Sequence, residues 1–138
     1  MKTEHEAYIE ALKGINIKEN EQIVLESKNP DYCYCFAINI PGADIKAHEK
    51  VILQSKDINY CYAFADDVKG ANIQAHEEIV IKSKNLDYCY YFARDVPKSN
   101  KEYLFKVILE SGDRDWINIF LENIDFNKEK FSDYLLFI

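Results

Sequence analysis

Apolar residues recur along this chain at the spacing of short amphipathic helices. Around residue 50 one such stripe falls at i, i+3, i+7 and i+10 and consists of Ile45, His48, Ile52 and Ser55. The pattern restarts after residue 56, where a second stripe at i, i+3, i+4 and i+7 consists of Cys61, Phe64, Ala65 and Val68. Isolated helices of roughly ten to twelve residues are marginal in water, so we expect these apolar faces to pack on neighbouring helices.

The two-helix pattern recurs with a period of 28 residues and without insertions. Serines stand at 27, 55, 83 and 111, phenylalanines at 36, 64, 92 and 120, and glycines at 14, 42 and 70. In the divergent fourth copy, Trp116 and Leu104 replace a repeated tyrosine and a repeated histidine, and Tyr8 and Leu12 match Phe36 and Ile40 one period earlier. We therefore divide one domain into a half-repeat 1–13, repeats 14–41, 42–69, 70–97 and 98–125, and a C-terminal capping helix 126–138.

Short polar side chains mark the predicted helix starts, because their oxygen atoms accept hydrogen bonds from the free N–H groups of a first helical turn. The predicted N-caps are Asn16, Asn29, Asp44, Asp57, Asn72, Asn85, Asn100 and Asp113. Gly14, Gly42 and Gly70 follow a helix end, where a left-handed conformation costs a glycine little. Lys98 holds the same register, so the sequence predicts a different turn there.

From Phe64 to Lys84 the chain reads F-A-x-D-V-x-G-A-N-I-x-A-H-E-x-x-V-I-x-S-K. This segment resembles short helical-hairpin repeats of the α-solenoid type in uncharacterised bacterial and phage proteins, and the resemblance covers about residues 14 to 124. It implies an all-helical superhelix and carries no catalytic residues. With the stacking that short helices require, it predicts an all-α fold, a short right-handed α-solenoid of about four two-helix repeats with half-repeat caps.

Composition narrows the functional classes. The chain has 138 residues and a formal charge of −7, from 24 acidic and 17 basic residues. That balance disfavours direct binding to nucleic acid or to an anionic membrane, which usually requires a basic face. The acidic N-terminus lacks the apolar segment of a signal peptide, and no apolar run reaches the roughly 20 residues of a membrane span. We therefore expect a cytoplasmic protein with reduced cysteines.

The residues capable of chemistry follow the repeat instead of forming one asymmetric site. Cys33, Cys61 and Cys89 hold equivalent positions about 10 Å apart, too far for a disulfide, so we expect buried thiols, with redox sensitivity or metal binding as weaker alternatives. His48 and His76 align with Asn20 and Leu104, which indicates a semi-buried position used for packing or a local hydrogen bond, with a pH-sensitive contact as the weaker alternative. The repeated serines are expected to bind a helix-end carbonyl. The sequence thus predicts no catalytic residue, no metal and no cofactor.

The face of the second helices is the predicted partner-binding surface. One row keeps its tyrosine while neighbouring rows vary, and tyrosine is common in protein interfaces. Packing between repeats remains open as the alternative for this row. The predicted partner-binding residues are Tyr34, Tyr62, Tyr90, Tyr91, Asp66, Asp67, Arg94 and Asp95.

The apolar C-terminus, Leu135 to Ile138, either packs back on the last repeat or pairs with a second copy as a homodimer. The leading hypothesis for function is a non-enzymatic scaffold that binds another protein. The alternative is a phage- or mobile-element-encoded inhibitor of a host nuclease or nucleoprotein complex, comparable to an anti-CRISPR protein, whose acidic surface competes with nucleic acid. A small enzyme or redox switch is the least favoured hypothesis.

Overall fold

The structure, a computed structural model, describes residues 1–135, and within them it contains helices and no strands. The all-α prediction is therefore confirmed for this part of the chain. The helices are α1 (Glu4–Leu12), α2 (Ile17–Ser27), α3 (Pro30–Asn39), α4 (Ile45–Ser55), α5 (Ile58–Asp67), α6 (Ile73–Ser83), α7 (Leu86–Asp95), α8 (Lys101–Ser111), α9 (Arg114–Asn123) and, after a 3₁₀ turn (Glu129–Phe131), α10 (Ser132–Leu135).

Most of the predicted N-caps are confirmed. The side chains of Asn29, Asp57, Asn85 and Asp113 accept from the first turn of α3, α5, α7 and α9, and those of Asp44, Asn72 and Asn100 do so for α4, α6 and α8. Asn16 is the exception, because it makes no side-chain cap and has a left-handed backbone with φ 44°. The loop before α2 is one residue shorter than the loop before α4, because α1 ends one position later in the repeat than α3 does.

The turn at Lys98 was predicted to differ from the glycine turns, and this prediction is wrong. Lys98 has φ 66°, close to the 79° of Gly42 and the 87° of Gly70. The N–H of Ser99 donates to the Val96 carbonyl, as Ala71 donates to Val68. Lysine therefore takes the same left-handed turn at a backbone cost of roughly 1–2 kcal/mol.

A second set of left-handed residues ends the even-numbered helices α2, α4, α6 and α8. These residues are Lys28, Lys56, Lys84 and Gly112, with φ of 55°, 56°, 55° and 75°. The preceding serine stabilises each end, since Ser83 Oγ donates to the Val80 carbonyl at 2.5 Å and accepts from the Asn85 N–H at 3.1 Å. Ser27, Ser55 and Ser111 make the same pair of bonds. The predicted serine–carbonyl bond is confirmed in all four copies.

The core consists of rows of equivalent residues, and each row takes one residue from each copy. The fully buried members are Phe36, Phe64, Phe92 and Phe120 from the odd-numbered helices, and Val24, Ile52, Val80 and Ile108 from the even-numbered ones. Ile40, Val68, Val96 and Ile124 close the ends of the odd-numbered helices and are also buried. Burial of each large apolar side chain contributes about 1.5–3 kcal/mol, so these rows supply much of the stability of the fold.

The helices pack in two layers. The most extensive contacts join the helices that flank each turn near a glycine or Lys98: α1 with α2, α3 with α4, α5 with α6, and α7 with α8. Contacts also run along the odd layer, defined as α1, α3, α5, α7 and α9, and between α2, α4 and α6 of the even layer, defined as α2, α4, α6 and α8. Contacts along the odd layer are more extensive than those along the even layer.

Helix α1 departs from the register that the sequence suggested. Ala7 and Ala11 are its buried residues, whereas Tyr8 is only half-buried and Leu12 is exposed. The predicted match of Tyr8 and Leu12 to the buried Phe36 and Ile40 is therefore wrong. The helix presents its alanines to the core, and such small side chains allow a close approach to α2.

The C-terminal segment is less helical than the predicted capping helix over 126–138. Residues 124–128 are irregular, and the only α-helix described there is α10. Phe126 causes the change of direction, because its ring packs on Phe105 and Phe120 with centroids 4.9 and 5.2 Å away. Leu135 packs on the same core, whereas residues 136–138, which carried the homodimer alternative, lie outside the described residues.

No helix in residues 1–135 combines the length and the apolar character that crossing a membrane requires.

Candidate interaction surface

Charged residues are divided unequally between the two layers. The odd-layer helices, all of them described, contain no lysine, and their basic residues other than His5 are Arg94 and Arg114. Their acidic residues are Glu4, Glu6, Glu10, Asp31, Asp66, Asp67, Asp87, Asp95, Asp115 and Glu122. The even-layer helices carry Lys18, Lys46, Lys50, Lys82, Lys101 and Lys106. The even-layer helices also carry eight glutamates, so their charges are closer to balance than those of the odd-layer helices, which have ten acids and two arginines. We call the outer side of the odd layer the acidic face.

Two tyrosines of the predicted row join one copy to the next. Tyr34 of α3 donates its hydroxyl hydrogen to Asp67 of α5, and Tyr62 of α5 donates to Asp95 of α7. Burial, reinforced by these aspartates, raises the pKa of both hydroxyls well above its usual value, so both remain donors at neutral pH. Both tyrosine side chains are half-buried, and their hydrogen bonds link adjacent odd-layer helices.

Tyr90 has a different environment from the other tyrosines of its row. It is only 8% exposed and packs on Trp116 and Phe120, with ring centroids 5.6 and 6.3 Å away. Tyr90 was predicted to contact a partner, but most of its surface is occupied by α9. Tyr90 therefore lies beneath the exposed residues of this face and packs against them.

Arg94 is bound by residues of its own helix. Its Nε and Nη2 atoms donate to the two carboxylate oxygens of Asp95 at 2.7 and 2.8 Å. The guanidinium carbon lies 5.5 Å from the centroid of the Tyr90 ring and 5.0 Å from that of Tyr91, within the range of cation–π attraction. The hydrogen bond from Arg94 holds the pKa of Asp95 below its usual value. The aromatic rings and the carboxylate together form a site for a planar cation.

One copy earlier, an acid replaces the cation of this site. Asp66 holds the position equivalent to Arg94, Asp67 that of Asp95, and Tyr62 that of Tyr90. Asp66 and Asp67 are exposed. Burial raises the pKa of Asp66, and the charges of Asp67 and Asp95 raise it further. The α5 end of the acidic face thus has excess negative charge beside a tyrosine.

The even layer contains a buried histidine–glutamate ladder. His48 Nε2 lies 2.9 Å from Glu21 Oε2, and His76 Nε2 lies 2.9 Å from Glu49 Oε2. The same two carboxylates accept from the backbone N–H groups of Asp44 and Asn72, at 2.8 and 2.7 Å. Each glutamate therefore connects its helix to the next even-layer helix by two bonds.

The histidines were predicted to be semi-buried, and they are instead fully buried. Burial lowers the pKa of both, so the neutral ring donates from Nε2 to the glutamate. His48 stacks on Phe36, with centroids 5.0 Å apart, and the two Nδ1 atoms have no hydrogen-bond partner among the described residues. The sequence did not identify the glutamate partner, because it belongs to the preceding copy rather than to the adjacent H-E pair.

The ladder stops at α8, where Leu104 replaces the histidine. Glu77 still accepts from the Asn100 N–H, at 2.6 Å, and burial raises the pKa of its carboxyl group. A groove of about 330 Å³ lies beside Glu77 and is also lined by Lys98 and Tyr103. A larger groove of about 610 Å³ lies between α4 and the loop before α6, and Lys46, Lys50 and Lys56 line its α4 side. The even layer thus contains grooves that are lined in part by lysines.

The cysteines are packing residues. Cys33, Cys61 and Cys89 are fully buried and free, and burial raises the pKa of their thiols to about 12. Each Sγ lies 3.9 Å from the carbonyl oxygen that also accepts from the repeated serine. Residues 1–135 contain no cluster of three or more His, Cys, Asp or Glu suited to a metal ion. The prediction of buried thiols is confirmed.

The predicted partner-binding residues all lie on α3, α5 and α7. The structure brings Tyr62, Tyr91, Arg94 and Asp95 together, since the rings of Tyr62 and Tyr91 are 6.3 Å apart and Tyr62 binds Asp95. Tyr34 and Asp67 form a second group across α3 and α5, with Asp66 next to it. Sequence reasoning did not identify Tyr60 and Tyr88, whose rings contact Tyr34 and Tyr62, although their own 28-residue spacing marked them.

Comparison with protein-family models, with curated proteins and with solved structures finds no match to this chain. Its function is therefore inferred from its own residues.

Proposed function

We propose that the chain is a non-enzymatic protein–protein interaction module. In this proposal it is a short right-handed α-solenoid, built from repeats 14–41, 42–69, 70–97 and 98–125, and it binds a partner protein through the outer face of its odd layer. The single observation that carries the proposal is the composition of that face: clustered tyrosines and acidic residues without a lysine. Tyrosine and arginine are enriched among the residues that contribute most to binding in protein interfaces.

Rigidity supports the choice of the odd layer. The Tyr34–Asp67 and Tyr62–Asp95 bonds hold side chains that border the exposed surface, so little conformational entropy is lost on binding. Curvature gives further support. Contacts are more extensive along the odd layer, and a groove opens beside α4 of the even layer, as expected if the odd layer lines the concave side.

Site-specific photo-crosslinking tests the proposal. A photoreactive amino acid is placed at Ile38 or Tyr91 on the odd layer, and at Lys50 or Glu78 on the even layer as matched controls. Expressed in cells, the odd-layer variants should form one discrete crosslinked species, identified by mass spectrometry, and the even-layer variants should not. Crosslinking through the even layer alone, or through neither layer, would contradict the proposal.

The unequal distribution of charge favours one second candidate, an inhibitor that blocks the nucleic-acid site of a host nuclease. An acidic face without lysine can occupy a groove that normally binds phosphates. The crosslinked partner distinguishes the candidates: the inhibitor requires that DNA or RNA added to the purified complex displaces the chain, whereas a scaffold remains bound. Either function operates on the cytoplasmic side, where the buried thiols stay reduced.

A further inference from the structure

The position of Arg94 indicates which chemical group the acidic face accepts. Its guanidinium is bound by both oxygens of Asp95 and lies against the rings of Tyr90 and Tyr91. This geometry uses the planar, forked shape of arginine, which a lysine ammonium cannot reproduce. The chain thus contains one occupied guanidinium site built from its own residues.

The equivalent position one copy earlier has the acceptors without the cation. Tyr62 and Asp67 correspond to Tyr90 and Asp95, and Asp66 stands where the arginine would be. Tyr34 donates to Asp67 but carries no charge, so this bond does not offset the negative charge of the carboxylate. Ala63 replaces Tyr91 and leaves this position less crowded. The face therefore combines an aromatic wall with two exposed carboxylates.

We propose that this second position binds an arginine side chain of the partner, between Asp66, Asp67 and Tyr62. The inference rests on the proposed function and narrows it: the partner is a protein whose contact segment is basic and contains arginine. Charge complementarity carries the choice, because the odd-layer helices contain no lysine and Asp66 faces Asp67 and Asp95. Arg94 lowers the pKa of Asp66 by its charge, but its guanidinium is already bound by Asp95. Lys69 and Lys98 lie beside Asp66 and Asp67, and a lysine ammonium cannot make the forked bond of a guanidinium.

The test uses the full chain and two fluorescent peptides, octa-arginine and octa-lysine, in binding titrations at fixed ionic strength. Octa-arginine should bind about tenfold more tightly, since only a guanidinium makes two parallel bonds to a carboxylate. Asp66→Asn should weaken octa-arginine binding by about tenfold through loss of one charged acceptor. Glu78→Gln, which removes the same charge from the even layer, should leave the affinity unchanged.

Two further variants test whether octa-arginine binds at this position or is attracted to the acidic protein in general. Arg94→Ala vacates the Tyr90–Tyr91–Asp95 site and should add a second binding site for octa-arginine. Arg114→Ala, which removes the same charge from the same layer, should add none. Asp66→Arg should fill the position from within and abolish binding, while helical circular dichroism is retained.

Equal weakening by Asp66→Asn and Glu78→Gln, or equal effects of Arg94→Ala and Arg114→Ala, would overturn the inference. So would equal binding of the two peptides. Failure of the photo-crosslinking experiment would overturn the proposed function instead. A partner crosslinked to the odd layer through a segment without arginine would overturn the present inference and leave the proposed function standing.

Discussion

Lys84 and Gly112 occupy equivalent positions at the ends of α6 and α8, and both have a left-handed backbone, with φ of 55° and 75°. An added Cβ at Gly112 would meet no atom within 4 Å, so side-chain crowding does not explain the difference between the two residues. A lysine in this conformation is strained by roughly 1–2 kcal/mol, and glycine is not.

Replacement of Lys84 by glycine should therefore stabilise the protein. The relief of strain exceeds the extra conformational entropy of an unfolded glycine, about 0.5–1 kcal/mol, so we expect a net gain of up to about 1 kcal/mol. Urea denaturation followed by circular dichroism measures the change. Lys50→Gly, within α4 and exposed, is the matched control and should cost about 1 kcal/mol. A lower urea midpoint for Lys84→Gly would contradict the prediction.

The buried histidines should make stability depend on pH. Their usual pKa is 6.5, and burial lowers it in the folded state. Below 6.5 the unfolded chain binds protons that the folded chain does not, so stability falls as the pH drops from 6.5 towards the lowered pKa. Each histidine contributes up to about 1.4 kcal/mol per pH unit in this window. Urea midpoints at about pH 7.5, 6.5 and 5.5 measure the effect.

The control for this prediction is the double variant His48→Leu/His76→Leu, which introduces the residue that the fourth copy has at Leu104. It should retain the fold and lose much of the acid dependence below pH 6.5. Glu77 and Asp66, whose pKa values are raised, act in the opposite direction and are common to both proteins. Parallel pH profiles for the wild type and the double variant would contradict the proposed origin of the dependence.

Alkylation should distinguish one cysteine from the other three. Cys35 is half-buried, whereas Cys33, Cys61 and Cys89 are fully buried, with thiol pKa values raised to about 12. Because the thiolate is the reactive form, iodoacetamide should modify Cys35 first, and the other three only after urea is added. Mass spectrometry of timed samples identifies the sites, and rapid modification of native Cys61 would show that the core is open.

The N-caps give a paired test of stability. Asn72 accepts from the Ala75 N–H at 3.2 Å, so Asn72→Ala should destabilise the protein by about 1 kcal/mol. Asn16 makes no such bond and has φ 44°, so Asn16→Gly should have little effect or stabilise slightly. Both changes are measured as shifts in urea midpoint. A larger loss from Asn16→Gly than from Asn72→Ala would contradict the assignment of caps.

The helix positions could be predicted from the sequence because local signals and the 28-residue period agree. The caps at Asn29 and Asp57 fix where α3 and α5 begin, and the buried phenylalanines fix which face turns inward. The error at Lys98 falls where a lysine replaces the repeated glycine, and two further errors fall where the period stops. At α1 no preceding copy covers Leu12, so Ala7 and Ala11 face the core instead, and at the C-terminus Phe126 ends the helical pattern.

The side-chain partners could not be predicted, because each joins residues that are about one period apart. The His76–Glu49 pair spans 27 residues, and the Tyr62–Asp95 pair spans 33. Such pairs depend on the offset between neighbouring helices, which a single sequence does not give. The left-handed backbone of Lys28, Lys56 and Lys84 could have been predicted. The equivalent residue of the fourth copy is Gly112, and a glycine at this position indicates a left-handed turn, but sequence reasoning did not use it.

Glu21, Glu49 and Glu77 each accept from the main-chain N–H at the equivalent position of the following copy. The contacts that join successive copies are therefore interchangeable. A duplicated segment 42–69 spliced in after residue 69 would find every bonding group that it needs on both sides. Unequal crossing-over in the gene can therefore lengthen the array without redesigning any contact. The length of the array is then set by genetic copy number, while the surface chemistry of each added copy diverges afterwards by point mutation.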